Sequence, residues 1–271
     1  MEAKVWFITG TSKGFGRVWA EAALRRGDRV VATARDISSL EGLVTEYGDA
    51  VLPLVLDVND RKNCFDAVAL AISKFGRIDV LINNAGFGHF GFVEEVSEAD
   101  ARAQIETNLF GSLWMIQAVL PMMRKQSRGH IIQVSSIGGV MAFPSLGVYH
   151  ASKWAVEGMC ESLSQEVATF GIKTTIVEPA AYSTDWSSSS ASHSHPLEAY
   201  NSLRDAMRAS SGQMVSGDPN ATAEAILKVV DADQPPLRLF LGRLPLLMIE
   251  PTYNNRIETW KAWKEISESA Q

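Results

Sequence analysis

Short runs of apolar and β-branched residues alternate with longer amphipathic stretches through the first two thirds of the chain. The short runs predict strands at Lys4–Thr9, Arg29–Ala34, Val51–Asp57, Val80–Asn83, His130–Ser135 and Lys173–Glu178, with a late one at Leu237–Leu241. They are apolar on successive positions, as strands covered on both faces are. Between them, helical spacing predicts Gly16–Arg26, Ser38–Tyr47, Arg61–Phe75, Asp100–Arg124, Val148–Phe170 and Ala221–Asp231, the last opened by Asp218-Pro219. This repeating order predicts an α/β fold, a doubly wound parallel sheet of about seven strands with helices on both faces. No composition break or long repeat divides it, so residues 1–271 read as a single domain. The serine-rich stretch Ser187–Pro196 has no periodicity, and Tyr182, Trp186 and a helical pattern at Leu197–Arg208 flank it. It predicts a mobile lid over about 183–217, followed later by a C-terminal extension at about 243–271.

At 46% hydrophobic and 21% charged, 271 residues can bury a core without disulfides or metals. The net charge of −6 argues against a nucleic-acid partner. Cys64 and Cys160 lie in apolar helical patterns without CxxC spacing and predict buried free thiols in a reducing compartment. His193 and His195 have no cysteine or acidic ligand beside them, so no metal site is expected. No secretion signal precedes Val5–Ile8, and Arg238, Arg243 and Pro245 break the hydrophobic stretch Leu237–Ile249. A soluble, cytoplasmic protein without membrane contact is expected.

The first predicted strand runs into Thr9-Gly10-Thr11-Ser12-Lys13-Gly14-Phe15-Gly16, and a helical pattern follows at once. Gly10 permits a tight turn, Gly14 lets backbone approach a pyrophosphate, and Gly16 allows close packing of helix on strand. The helix N-terminus adds unpaired N–H groups and a positive dipole end. Glycines also occur in turns that bind nothing; the position in the first strand–helix unit is what favours a nucleotide.

The spacing G-x-x-x-G-x-G is followed in order by Leu56-Asp57-Val58, Asn83-Asn84-Ala85-Gly86, Asn108, Ser135-Ser136 and Tyr149-His150-Ala151-Ser152-Lys153. From about Lys4 to Thr184 the chain thereby resembles the short-chain dehydrogenase/reductase family. That resemblance implies a Rossmann-type fold with a dinucleotide at the C-terminal ends of the strands. It assigns cofactor contacts to Gly10, Ser12, Lys13, Gly14, Phe15, Gly16, Arg35, Asp57, Val58, Asn84, Ala85, Gly86, Tyr149, Lys153, Pro179 and Thr184. One departure is Pro179-Ala180 where the family has Pro-Gly, so the loop that follows need not take the family's path.

Tyr149 and Lys153, four apart in a helical pattern, share a face, and an ammonium near a phenol is expected to lower its pKa toward neutrality. The resemblance implies that Tyr149 passes a proton to a carbonyl oxygen as hydride arrives from the nicotinamide. It also implies that Lys153 holds the nicotinamide ribose, Ser136 hydrogen-bonds the same oxygen and Asn108 joins a proton relay. Ser135 competes with Ser136, but family spacing places the active serine thirteen residues before the tyrosine, at 136. His150 reads as packing or surface.

At the end of the second strand stands Thr33-Ala34-Arg35 in place of the acidic residue that accepts from free ribose hydroxyls. Arg35 with Lys13 resembles the family's two-cation cradle for the 2′-phosphate of NADP(H); a surface pair between Arg35 and Asp36 is the plainer reading. Phe87, Phe90, Phe92, Met141, Phe143, Tyr182 and Trp186 fall in loops expected to line the pocket, which suits a hydrophobic ketone or aldehyde, or the matching alcohol, although they read equally as core. The expected activity is an NADP-dependent carbonyl reductase, with an NAD-linked secondary alcohol dehydrogenase and a non-catalytic NADP-binding sensor as alternatives. The resemblance further implies a homodimer or homotetramer through the long fourth and fifth helices.

Overall fold

Strand β1 (Val5–Ile8) already shows how the chain builds two layers of core around one sheet. Successive side chains point to opposite faces, so Trp6 and Ile8 enter one apolar layer and Phe7 the other. The structure is a computed structural model and describes residues 2–187, 191–211 and 216–271. Ser188 to Ser190 of the serine-rich stretch, and residues 212–215 of the expected lid, lie outside the described residues.

The remaining strands of the sheet are β2 (Arg29–Ala34), β3 (Val51–Val55), β4 (Val80–Asn83), β6 (Gly129–Val134), β7 (Ile172–Pro179) and β9 (Arg238–Leu241). All seven pair in parallel, in the order β3-β2-β1-β4-β6-β7-β9. The order reverses between β1 and β4, which opens a crevice at their C-terminal ends. A separate pair, β5 (His89–Phe90) with β8 (Ser192–His193), ties the loop after β4 to the segment after β7.

Helices cover both faces. On one lie α1 (Gly14–Arg25), α2 (Glu41–Tyr47) and α8 (Ala223–Asp231), whose Trp19, Leu43 and Ile226 join Trp6 and Ile8. On the other lie α3 (Arg61–Phe75), α5 (Gly111–Gln126) and α6 (Gly147–Val167), whose Ala67, Met115 and Leu163 join Phe7. Helix α3 shows the local logic. The Asp60 carboxylate accepts from Asn63 N at its start, Cys64, Ala67, Val68 and Ala71 fall on the buried face, and Gly76 ends it in the left-handed region at φ 78°.

All seven predicted strands form, and Cys64 and Cys160 are buried and free. The predicted helix at Asp100–Arg124 is realised as α4 (Glu98–Ile105), a π turn at Glu106–Phe110, and α5. The expected helical pattern at Leu197–Arg208 becomes α7 (Asn201–Ser211), entered through a 3₁₀ turn at Glu198–Tyr200. The C-terminal extension is helical, α9 (Leu244–Ala262) and α10 (Lys264–Ser269). Pro245, which broke the apolar stretch in the sequence, stands in the first turn of α9, where a missing N–H leaves no bond unmade. Among the described residues no helix is long and apolar enough to cross a membrane.

Candidate active site

The turn between β1 and α1 is fixed by backbone. Gly10 and Gly14 have φ of +71° and +59°, and a Cβ at Gly16 would lie 2.2 Å from the Gly10 carbonyl oxygen, so no larger residue fits there. At Gly14 the nearest atoms belong to Thr184, 3.9 Å away, which leaves the backbone open to a ligand. Thr11 N donates to Thr33 O at 2.8 Å, locking the turn to β2. Asn84 Nδ2 donates to Thr9 O and Gly10 O, and the Asn84 and Ala85 amides both donate to Thr9 Oγ1. These two residues therefore brace the turn from β4.

The other expected cofactor contacts divide by exposure. Ser12 and Arg35 are exposed at the mouth of the crevice. Among the described residues Arg35 has no ion-pair partner, and the Asp36 carboxylate accepts from Ser38 N and Oγ, so the plainer pairing of Arg35 with Asp36 does not form. Lys13 lies 3.6 Å from the carboxylate of Asp185 across the cleft. Asp57 caps its own turn by accepting from Asn59 N, Val58 packs so tightly on Gly111 that a Cβ there would meet it at 2.7 Å, and Phe15 stacks on Trp19. An open cleft lined by Gly14, Arg17, Ser183, Thr184, Asp185 and Pro219 separates the turn from the segment after β7.

Tyr149 and Lys153 project from α6 beneath the ends of β4 and β6. Both are buried, with Lys153 Nζ 5.7 Å from the centroid of the Tyr149 ring and donating to Val134 O at 3.0 Å. Burial pushes the Tyr149 hydroxyl up to about 12, opposed by a hydrogen bond with Ser136, and pulls the Lys153 ammonium down to about 8. Spacing alone predicted a lowered tyrosine. The direction reverses because neither group here is solvated, and each is driven toward its neutral form.

Ser136 N-caps the short turn Ile137–Gly139, and its Oγ accepts from Gly138 N at 3.0 Å. Asn108 sits inside the π turn between α4 and α5, and its amide is engaged at both ends. Oδ1 accepts from Phe87 N, while Nδ2 donates to Phe87 O and Ser152 Oγ. A Cβ at Gly86 would lie 3.0 Å from Asn108 Oδ1 and 3.8 Å from Lys153 Nζ, so the three positions form one cluster. Widened turns of this kind are frequent at functional sites.

Two sets of supporting residues take on contacts that the sequence, which offered His150 as packing or surface and Phe90, Phe92 and Trp186 as pocket lining, did not specify. His150 is buried, its Nδ1 donating to Gly138 O at 3.0 Å and its Nε2 accepting from Phe143 N at 3.2 Å. One neutral tautomer satisfies both bonds, and burial lowers its pKa accordingly. His150 thus braces the turn that carries Ser136. The second set covers the tyrosine. The Trp186 ring lies 4.9 Å from that of Tyr149 and 5.5 Å from that of Phe90, and fills a notch that a Cβ at Gly88 would enter at 2.4 Å. The Glu95 carboxylate accepts from Phe92 N, Leu197 N and the Arg204 guanidinium, and Tyr200 donates to Glu94 at 2.6 Å. Nothing in periodicity or composition signals these long-range pairings.

The sequence profile described as short chain dehydrogenase matches residues 4–195. The chain is 47% identical to Oxidoreductase BOA17 of Botryotinia fuckeliana, covering 88% of this chain and 89% of that protein. It is 39% identical to a 3-ketodihydrosphingosine reductase of Bacteroides thetaiotaomicron, over 90% of each. Among solved structures, a short-chain dehydrogenase from Streptomyces avermitilis superimposes with a TM-score of 0.93 at 36% identity, covering 100% of this chain and 99% of that one.

Proposed function

The chain belongs to the short-chain dehydrogenase family and is an oxidoreductase; from that premise we propose that it reduces a hydrophobic ketone or aldehyde to the alcohol, reversibly, with NADP(H). The observation that carries this reading is the convergence of Tyr149, Lys153, Asn108 and Ser136 at the crevice edge of the sheet, under the aromatic cover of Trp186 and Phe90.

The residues present fit a dinucleotide. The open backbone at Gly14 and the N-terminus of α1 receive a pyrophosphate, and Arg35 with Lys13 meets a 2′-phosphate by charge-assisted hydrogen bonds. When bound, the reduced cofactor supplies a hydride. Tyr149 gives its hydroxyl proton to the substrate oxygen in reduction and takes it back in oxidation. Ser136 donates to the same oxygen, Lys153 holds the nicotinamide ribose and supplies a positive charge beside Tyr149, and Asn108 fixes the α4–α5 turn against the loop at Phe87. Thr184 and Pro179 border the nicotinamide. The described residues within 183–217 act as the lid over the substrate, in a single domain that includes the C-terminal extension at 243–271. The identity to a 3-ketodihydrosphingosine reductase supports a ketone as the oxidised substrate. Homo-oligomers through α5 and α6 are the assembly this reading carries.

A panel of aromatic and long-chain ketones, followed by loss of reduced-cofactor absorbance with NADPH and with NADH, tests substrate class and cofactor together. The expected result is turnover of apolar ketones with preference for NADPH. Oxidation of neither cofactor by any ketone in the panel would overturn the proposal.

A further inference from the structure

Behind Ser136 lies a buried acidic pair that the proposed reaction does not use. Glu157 follows Lys153 by one turn of α6, and Glu178 is the penultimate residue of β7; they are 4% and 0% exposed. Arg238 of β9 is the nearest cation, with Nε 3.0 Å from Glu157 Oε2 and 3.5 Å from Glu178 Oε1, and Nη2 2.7 Å from Glu161. Three carboxylates therefore share one guanidinium. Among the described residues both oxygens of Glu178 lack a hydrogen-bond partner, and beside Glu157 Oε1 the donor at hand is the Ser135 hydroxyl. Two ionised carboxylates are acceptors only and cannot satisfy each other, whereas a single proton between them supplies the missing donor and removes one of two buried like charges. In keeping with this, burial and the neighbouring Glu157 push Glu178 up to about 9, and burial raises Glu157 as well.

Through Glu157 the pair touches the turn that carries Ser136. A Cβ at Gly139 would lie 2.4 Å from Ser135 Oγ and 3.0 Å from Glu157 Oε1, so the turn rests directly on Glu157. Its outer side is held by α9, where Arg256 donates to Val140 O at 3.1 Å and Ile249 packs with Ile137 and Val140. The other charged or titratable groups around the pair are Lys153, Cys160 and Glu161 of α6 and Arg238 of β9, with Tyr253 of α9 lining the cleft outside it.

We infer that Glu157 and Glu178 share one proton and act together as a positioning unit, holding the Ser135–Gly139 turn so that Ser136 keeps its register with Tyr149. The role of Ser136 in this statement rests on the function proposed above; the shared proton does not. Loss of that proton at alkaline pH places two like charges against the turn and displaces it.

Three measurements on the intact chain test this, with Glu178→Gln and Glu157→Gln as variants, since an amide replaces the shared proton by a permanent N–H donor. First, infrared difference spectra between wild type and each variant at neutral pH should show the carbonyl stretch of a protonated carboxylic acid in wild type, absent from both variants. Second, Glu178 binds its proton more tightly folded than unfolded, so its contribution to stability is full below the unfolded value near 4.5 and is lost as pH rises toward about 9. The folded-to-unfolded ratio of wild type relative to Glu178→Gln should therefore fall by up to about tenfold per pH unit in that window. Third, the alkaline limb of kcat should move to higher pH in Glu178→Gln with ketone KM unchanged; because Glu157 also acts on the Lys153 ammonium, the titration of Lys153 is followed separately in both proteins, and the limb should move by more than Lys153 does.

No carboxylic-acid band in wild type, or parallel stability curves, would overturn the shared proton. A band with superimposable kcat profiles would overturn the positioning role. If no ketone is turned over at all, the proposed function fails, and the band and the stability curves still decide the pair. Should one variant not fold, the other carries the same three measurements.

Discussion

The glycine-rich turn and the segment after Pro179 face each other across one cleft and are held by different kinds of contact. In the turn, main-chain geometry does most of the fixing, with the Asn84 amide and the Thr9 hydroxyl as braces: Thr11 N on Thr33 O, positive φ at Gly10 and Gly14, and no room for a Cβ at Gly16. Opposite it, side chains do the fixing: Trp186 in the Gly88 notch, and Glu95 gathering Phe92, Leu197 and Arg204. The first region is the one proposed to hold the dinucleotide, and it is rigid by sterics. The second is anchored by a few replaceable contacts that lie apart from its meetings with the first, Lys13 with Asp185 and Phe15 with Tyr182, so those anchors can be changed without disturbing the turn. Cofactor and substrate binding should separate accordingly under mutation.

The largest effect is expected where the two regions meet. Tyr149→Phe removes the transferable proton and should lower ketone turnover by about 10² to 10⁴-fold, with NADPH affinity by fluorescence titration nearly unchanged. On the turn side, Arg35→Asp removes a charge-assisted bond and adds repulsion, so kcat/KM for NADPH should fall about 10- to 100-fold while NADH is spared. A smaller effect belongs to the lid side. Glu95→Gln weakens a buried, charge-assisted anchor worth about 1.5–3 kcal/mol, and ketone KM should rise about tenfold at constant NADPH affinity. The smallest is Trp186→Ala. Water then reaches Tyr149, whose hydroxyl should titrate below its buried value of about 12 in ultraviolet difference spectra, with ketone KM rising a few-fold. If Glu95→Gln weakened NADPH as much as it weakened the ketone, the separation between the regions would fail.

The same contrast governs what the sequence made legible. The strands, the turn and the order of site residues are local patterns, and each predicted strand took its place in the sheet. Helix α9 was missed because Pro245 reads as a break in the apolar stretch Leu237–Ile249, whereas in a first helical turn it is a start. The π turn at Glu106–Phe110 leaves no mark on helical periodicity, so Asn108 was expected in an ordinary long helix. The direction of the Tyr149 shift depends on what covers the ring, a contact with Trp186 across 37 positions of chain. His150, Glu157 and Glu178 are polar residues within apolar patterns, and their partners lie on other elements.

The proposed reaction moves a hydride from NADPH to a carbonyl carbon in this cleft. It is tested most directly by incubating the protein with an apolar ketone and NADPH carrying deuterium at both C4 positions of the nicotinamide, then locating the label by mass spectrometry. The expected product is an alcohol with one deuterium on the carbinol carbon, formed by wild type and greatly diminished in Tyr149→Phe. An alcohol without the label, or equal labelled product from both proteins, would contradict it.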